Sequence, residues 1–240
     1  MIDRIGPSLR PVGSPSGYQS WRDLLFVHWS WPLDVLRPLV PNELELDPWD
    51  GRAWVGAVPF VMKDIRLSGL PRWSGMDFLE TNLRTYVTYR GEPGVYFFSL
   101  EANSRLAVRA ARWGWGLPYF DATMTLKREP DGVLDYRTVR SKTGASLSAR
   151  FRPGDALGPS APGTLEHFLL ERYLLFNLRG GAVRKGHVHH VPYPARRCEV
   201  LSLEESLTRA AGLPPRSGAP ETVHFSDGVD VEVFGPHRVV

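Results

Sequence analysis

Residues 76–124 read MDFLETNLRTYVTYRGEPGVYFFSLEANSRLAVRAARWGWGLPYFDATM, and their periodicity decides the fold class. From Leu79 the side chains alternate. Leu79, Thr81, Leu83, Thr85, Val87 and Tyr89 fall on one face of a strand. Glu80, Asn82, Arg84, Tyr86, Thr88 and Arg90 fall on the other, because the strand period is two. Gly91-Glu92-Pro93-Gly94 is a turn, since Gly supplies positive φ and Pro fixes a turn dihedral. The chain then returns as a second strand from Val95 to Glu101 and ends in an aromatic cluster at 112–120, RWGWGLPYF. A row carrying Glu80, Asn82 and Arg84 has to face bulk water or a wet interior.

The elements around this hairpin point the same way. Residues 1–17 are rich in Pro, Gly and Ser and read as an irregular arm. Residues 18–30 form an apolar strand interrupted by Arg22 and Asp23. Pro32 opens a short helix that ends before Pro41. Strands follow at 43–47 and 52–61, and a loop at 63–75 leads into the hairpin. Beyond the aromatic cluster, strands are expected at 121–128, 133–141 and 146–151, with a proline-rich loop at 153–163. Thr164 caps a helix predicted over 164–178, where Leu165, Phe168, Leu169 and Phe176 recur at helical spacing. A strand at 182–191, a helix opened by Ser202-Leu203-Glu204-Glu205, and a strand at 223–239 complete the chain. The expectation is an α+β, β-rich fold. A large curved antiparallel sheet closes into a barrel or cone with two or three outer helices. All 240 residues form one domain in this reading.

Composition narrows the function. A net charge of +3 with scattered arginines argues against nucleic-acid binding. Cys198 is the only cysteine, which excludes an internal disulfide and fits a reducing compartment. No apolar run is long enough to span a bilayer, and residues 1–17 lack a signal-peptide core. A cytoplasmic protein, without a membrane partner, is expected. The sequence leaves a homo-oligomer open.

The segments HWSWPLDVLRPLVPNELELDPWDGRAWVGAVPF, FLETNLRTYV, WGLPYFDATM, LLERYLLF and HHVPYP resemble the YqjF-like family, also called DUF2071, of the acetoacetate decarboxylase-like superfamily. The resemblance implies a β-rich barrel or cone with a pocket inside the curved sheet. Compared with acetoacetate decarboxylase, Arg22 is similar to an Arg on the first strand, and Leu36-Arg37-Pro38-Leu39-Val40-Pro41 to the segment after it. Glu80 is similar to the active-site Glu. The decarboxylase's lysine pair, one member of which forms the Schiff base, precedes a Gly-x-Pro turn similar to Gly116-Leu117-Pro118. Trp113 and Gly114 stand at those positions here, and neither can supply a primary amine. Acetoacetate decarboxylation is therefore not expected.

Three constellations remain. Glu80 and Arg22, facing one cavity, could orient a carbonyl or carboxylate ligand, with Glu80 moving a proton and Arg22 clamping the anion. A structural ion pair between strands is the alternative. Asn82 and Arg84 extend Glu80's face, and Trp113, Trp115 and Tyr119, interleaved with glycines, could wall a pocket or simply pack a sheet corner. His187, His189 and His190 form an H-x-H-H run read as strand-surface histidines, so no metal and no cofactor is expected. The function read here is binding of a small carbonyl- or carboxylate-bearing molecule in an internal pocket, with lysine-independent acid–base chemistry; the alternative is a non-catalytic small-molecule-binding or interaction protein on the same scaffold.

Overall fold

The computed structural model describes residues 2–104, 114–216 and 218–239. Twelve strands and three short α-helices make up the described residues. The strands are β1 (Gly17–Trp31), β2 (Glu45–Leu46), β3 (Ala53–Leu67), β4 (Met76–Tyr89), β5 (Glu92–Ala102), β6 (Tyr119–Arg128), β7 (Leu134–Arg140), β8 (Ser146–Gly158), β9 (Leu174–Arg179), β10 (Ala182–His189), β11 (Ala195–Glu205) and β12 (Thr222–Arg238). The helices are α1 (Leu33–Leu36), α2 (Leu165–Leu170) and α3 (Leu207–Ala210).

All twelve strands join one sheet, which closes twice. A smaller ring runs β12–β1–β3–β4–β5–β9–β10 and back to β12. A larger ring leaves β5 through β6, β7, β8 and β11 to reach β12. The wall β12–β1–β3–β4 is common to both. Pairings are antiparallel except where β5 runs parallel to β6 and to β9.

A shared wall must bury both of its faces, and the alternation in β4 does so. Leu83 points into the larger ring with Leu25, Val27, Met124, Leu147 and Phe225. The smaller ring encloses Leu24, Phe26, Val58, Phe60, Leu100 and Val231. The Glu80 row faces this second core.

Several expected boundaries move. The helix predicted over 164–178 stops at Leu170. Thr164 does cap it, its Oγ1 accepting from His167 N at 3.2 Å. From Leu174 onward the apolar residues Leu174, Phe176 and Leu178 also fit a period of two, and pairing with β10 and β5 selects the strand. The predicted capping box at 202–205 instead lies at the end of β11, paired to β8. The helix starts later, at Leu207, with Glu205 accepting from Thr208 N at 2.9 Å. Strands β3 and β8 run past their expected ends to Leu67 and Gly158.

The N-terminal arm contains a single 3-10 turn, Gly6–Ser8, and is bound down along its length. Arg4 donates to buried Asp47 at 2.6 Å, and Arg10 donates to Glu232 at 2.6 Å. His187 Nε2 and His189 Nδ1 donate to the carbonyls of Pro7 and Ser8 at 2.7 and 3.1 Å. Among the described residues, no helix is long and apolar enough to cross a membrane.

Candidate functional site

The wall strands line the smaller ring with a polar row. Glu80, Asn82 and Arg84 lie opposite Phe60, Val58 and Gly56 of β3. They are 3, 7 and 7 % exposed. Tyr86 continues the row, its hydroxyl donating to Leu169 O at 2.8 Å. That bond uses the only hydroxyl proton, so His28 Nε2, also 2.8 Å from the oxygen, must carry a proton and donate it. Gly56 makes room for this imidazole: a Cβ there would approach the His28 ring to 2.8 Å.

Glu80 accepts a hydrogen bond from Tyr119 at 2.8 Å. Burial pushes its carboxyl up to about 8; the Tyr119 bond opposes the shift and the Glu101 charge adds to it. At neutral pH the group therefore holds its proton and can donate it.

Arg84 is a buried cation of a different kind. It donates to Leu169 O at 3.2 Å, and its guanidinium lies 5.8 Å from the centre of the Phe26 ring and 5.9 Å from that of Tyr86. Among the described residues it has no ion-pair partner, and its Nε has no hydrogen-bond partner. Glu171, whose carboxyl feels the Arg84 charge, is already committed. It accepts from the Tyr173 hydroxyl at 2.6 Å and from Tyr193 N at 3.0 Å. Burial nonetheless holds the Glu171 carboxyl above its usual range.

His190 closes the site. Its ring stacks on Tyr173 at 4.7 Å and is tilted against Tyr193 at 4.7 Å and Trp21 at 5.7 Å. Burial lowers its pKa to about 4, so the ring is neutral at pH 7. The ring thus contains a buried guanidinium, a protonated carboxyl and a neutral imidazole.

Most of the residues expected from the sequence meet here, and Arg22 does not. Arg22 lies opposite Val61, and Val61 opposite Leu79. It therefore shares Leu79's face of the wall and not that of Glu80. It pairs at the surface with Asp230 and donates to Val229 O at 2.7 Å. Arg84, from Glu80's own strand, is the guanidinium that shares its ring. Trp113 lies outside the described residues. Trp115 packs against the smaller ring's core, over Gly186, where a Cβ would meet its indole at 2.3 Å. Tyr119 is buried on Glu80.

His187 and His189 hold the arm and His190 faces the ring, so the H-x-H-H run is divided between two roles. Among the described residues no group of three or more His, Cys, Asp or Glu side chains could hold a metal ion. The four lysines all lie away from the row: Lys63, Lys127 and Lys142 are exposed, and Lys185 pairs with Glu92 at 2.8 Å. Two surface clefts, of about 430 and 260 Å3, open against the N-terminal arm, and neither is lined by Glu80, Asn82 or Arg84. Sequence reasoning did not single out Glu171 or Tyr193. Both lie in segments that carried the family resemblance, LLERYLLF and HHVPYP, which was the available signal.

Comparison with known proteins gives the lineage. Residues 18–230 match the profile of DUF2071, described as an uncharacterized conserved protein. Uncharacterized protein YqjF of Bacillus subtilis (strain 168) is 38 % identical over 222 residues, 92 % of this chain and 90 % of that one. The fold is similar to that of acetoacetate decarboxylase from Legionella pneumophila, with a TM-score of 0.60 and 19 % identity over 98 % of this chain and 92 % of that one. It is also similar to the enduracididine biosynthesis enzyme MppR, complexed with the condensation product of pyruvate and imidazole 4-carboxaldehyde. There the TM-score is 0.64 and identity 13 %, over 94 % of this chain and 90 % of that one. On these matches the chain belongs to the DUF2071 family and has an acetoacetate decarboxylase-like fold.

Proposed function

We propose that the smaller ring binds a small organic ligand through a carboxylate on Arg84, with Glu80, about 13 Å further along β4, as the proton donor at the other end of the row. The unpaired guanidinium carries this reading. A desolvated charge without a counter-ion costs several kcal/mol, so folded chains pair such groups or reserve them for a ligand. The pyruvate-derived molecule held by MppR supports a carboxylate only as a fold-level analogy.

The chemistry is not Schiff-base decarboxylation. None of the four lysines sits beside Glu80, so no amine is available to attack a ketone there. Acetoacetate with borohydride, followed by intact mass, should leave the chain without a lysine adduct. An adduct would defeat this part of the proposal.

The carboxylate reading is tested by calorimetric titration with pyruvate and propionate. Arg84→Met should weaken binding at least about tenfold, the loss of one charge-assisted hydrogen bond, with the circular dichroism spectrum unchanged. Binding that ignores the substitution, or no binding by the wild type, ends the reading. Turnover abolished by Glu80→Gln would make the protein an enzyme; retained binding without turnover would make it a carrier or sensor on the same scaffold.

A further inference from the structure

Arg84 Nε is not the only buried polar atom of the ring that lacks a hydrogen-bond partner among the described residues. Among the described residues, Asn82 Oδ1 and His190 Nε2 are also buried with no hydrogen-bond partner. For the histidine the missing partner can be specified. Its Nδ1 lies 2.7 Å from Val191 O, and a carbonyl oxygen can only accept, so Nδ1 carries the proton. In the neutral ring Nε2 is then a bare lone pair, which only a donor can satisfy.

The surrounding rings do not provide one. Tyr173 spends its hydroxyl proton on Glu171, and Trp21 spends its N–H on Gln19 at 2.8 Å. Tyr193 lies against the imidazole without a hydrogen bond to it. One run of aromatic contacts links the imidazole to the guanidinium, and His190 feels the Arg84 charge. Arg84 lies over Phe26, Phe26 meets Tyr193 edge-on at 5.1 Å, and Tyr193 touches His190.

We infer that the ligand carries a hydroxyl donor as well as a carboxylate, so that this ring accepts hydroxy acids in preference to the matching keto acids. The inference rests on the carboxylate reading of Arg84 and extends it. A keto oxygen brings no proton, and would leave His190 Nε2 and Asn82 Oδ1 as they stand. A hydroxyl can donate to either of them while the carboxylate occupies the guanidinium. An unmade hydrogen bond of this kind separates otherwise equal ligands by about tenfold.

The test uses the full chain and two matched sets: lactate, pyruvate and propionate, and phenyllactate, phenylpyruvate and phenylpropionate. Titration calorimetry should show the hydroxy member of at least one set binding about tenfold tighter than its partners. In 15N spectra of the imidazoles, the His190 Nε2 resonance should move upfield with that hydroxy acid and stay in place with the keto acid. His190→Phe keeps a ring of similar size and removes the lone pair. It should bring the set to a common affinity that still depends on Arg84.

Binding that depends on Arg84 but is equal across both sets, or favours the keto acids, or leaves Nε2 unmoved, overturns the donor inference alone. Binding unaffected by Arg84→Met overturns the carboxylate reading, and the inference falls with it. If His190→Phe does not fold, the nitrogen spectra of the unaltered protein decide.

Discussion

Two arginines are buried on opposite sides of the same pair of strands, and they are treated differently. Arg140, in the larger ring, donates to Glu101 at 2.5 and 3.1 Å and lies 3.9 Å over the Phe120 ring. Arg84, in the smaller ring, has aromatic neighbours and a backbone carbonyl but, among the described residues, no ion-paired carboxylate. A paired buried charge is a structural fastening: removing one partner strands the other. An unpaired one weighs against the fold, so removing it strands no partner. The larger ring thus carries a fastening at Arg140 that the smaller ring lacks at Arg84, and under the proposed reading that difference leaves Arg84 to a ligand.

Substituting each arginine in turn tests that contrast most strongly. Arg140→Met should lower the unfolding free energy by about 3–5 kcal/mol, since Glu101 is left buried and alone. Arg84→Met should change it by less than about 1 kcal/mol, or raise it. Urea denaturation of both variants measures this, and equal losses would erase the distinction between the rings.

The proton on Glu80 gives the next effect. Its folded pKa, about 8, lies above the ordinary value of 4.5. Between those values the unfolded chain has lost a proton that the folded chain keeps. The stability from this group is complete below pH 4.5 and declines as pH rises through 8. The slope is about 1.4 kcal/mol per pH unit for one proton. Glu80→Gln should flatten the wild-type decline between those limits. His190, lowered from 6.5 to about 4, has the opposite sign: its stability is lost as pH falls from 6.5 through 4, so the two slopes oppose each other between pH 4.5 and 6.5 and the Glu80 decline stands alone from 6.5 to 8.

Smaller again is Gly56→Ala. The new methyl pushes on the His28 ring that bonds Tyr86, and should cost about 1–3 kcal/mol by overpacking. Thermal denaturation measures it, and a neutral outcome would mean that the smaller ring is looser than its contacts suggest. The smallest effect belongs to Arg22→Ala. Its ion pair with Asp230 is open to solvent, so a loss within about 0.5 kcal/mol is expected, with no change in ligand affinity. A loss of binding would return Arg22 to the site.

The β4 alternation was legible in the sequence, and with it the identity of the row that lines the smaller ring. The burial of both faces was not. Alternating polar and apolar residues ordinarily mark a sheet with one wet side, and only the second closure of the sheet buries the polar side as well. Arg22 was misplaced for a local reason. Asp23 takes φ 55°, and the pairing between β1 and β3 shifts after Arg22. A bulge of this kind changes which side chains share a face, and residue spacing alone does not reveal it. The Glu171 and His190 positions follow from where α2 and β10 end, boundaries that tertiary pairing sets and local propensity does not.

Because β12, β1, β3 and β4 divide two interiors, their alignment is specified from both directions at once. Sliding β4 by a single residue would drive Leu79 and Leu83 among the polar groups and thrust Glu80 and Arg84 into hydrocarbon. An odd insertion or deletion within those four strands therefore has to be taken up by a bulge, as β1 does after Arg22, or it spoils both chambers together.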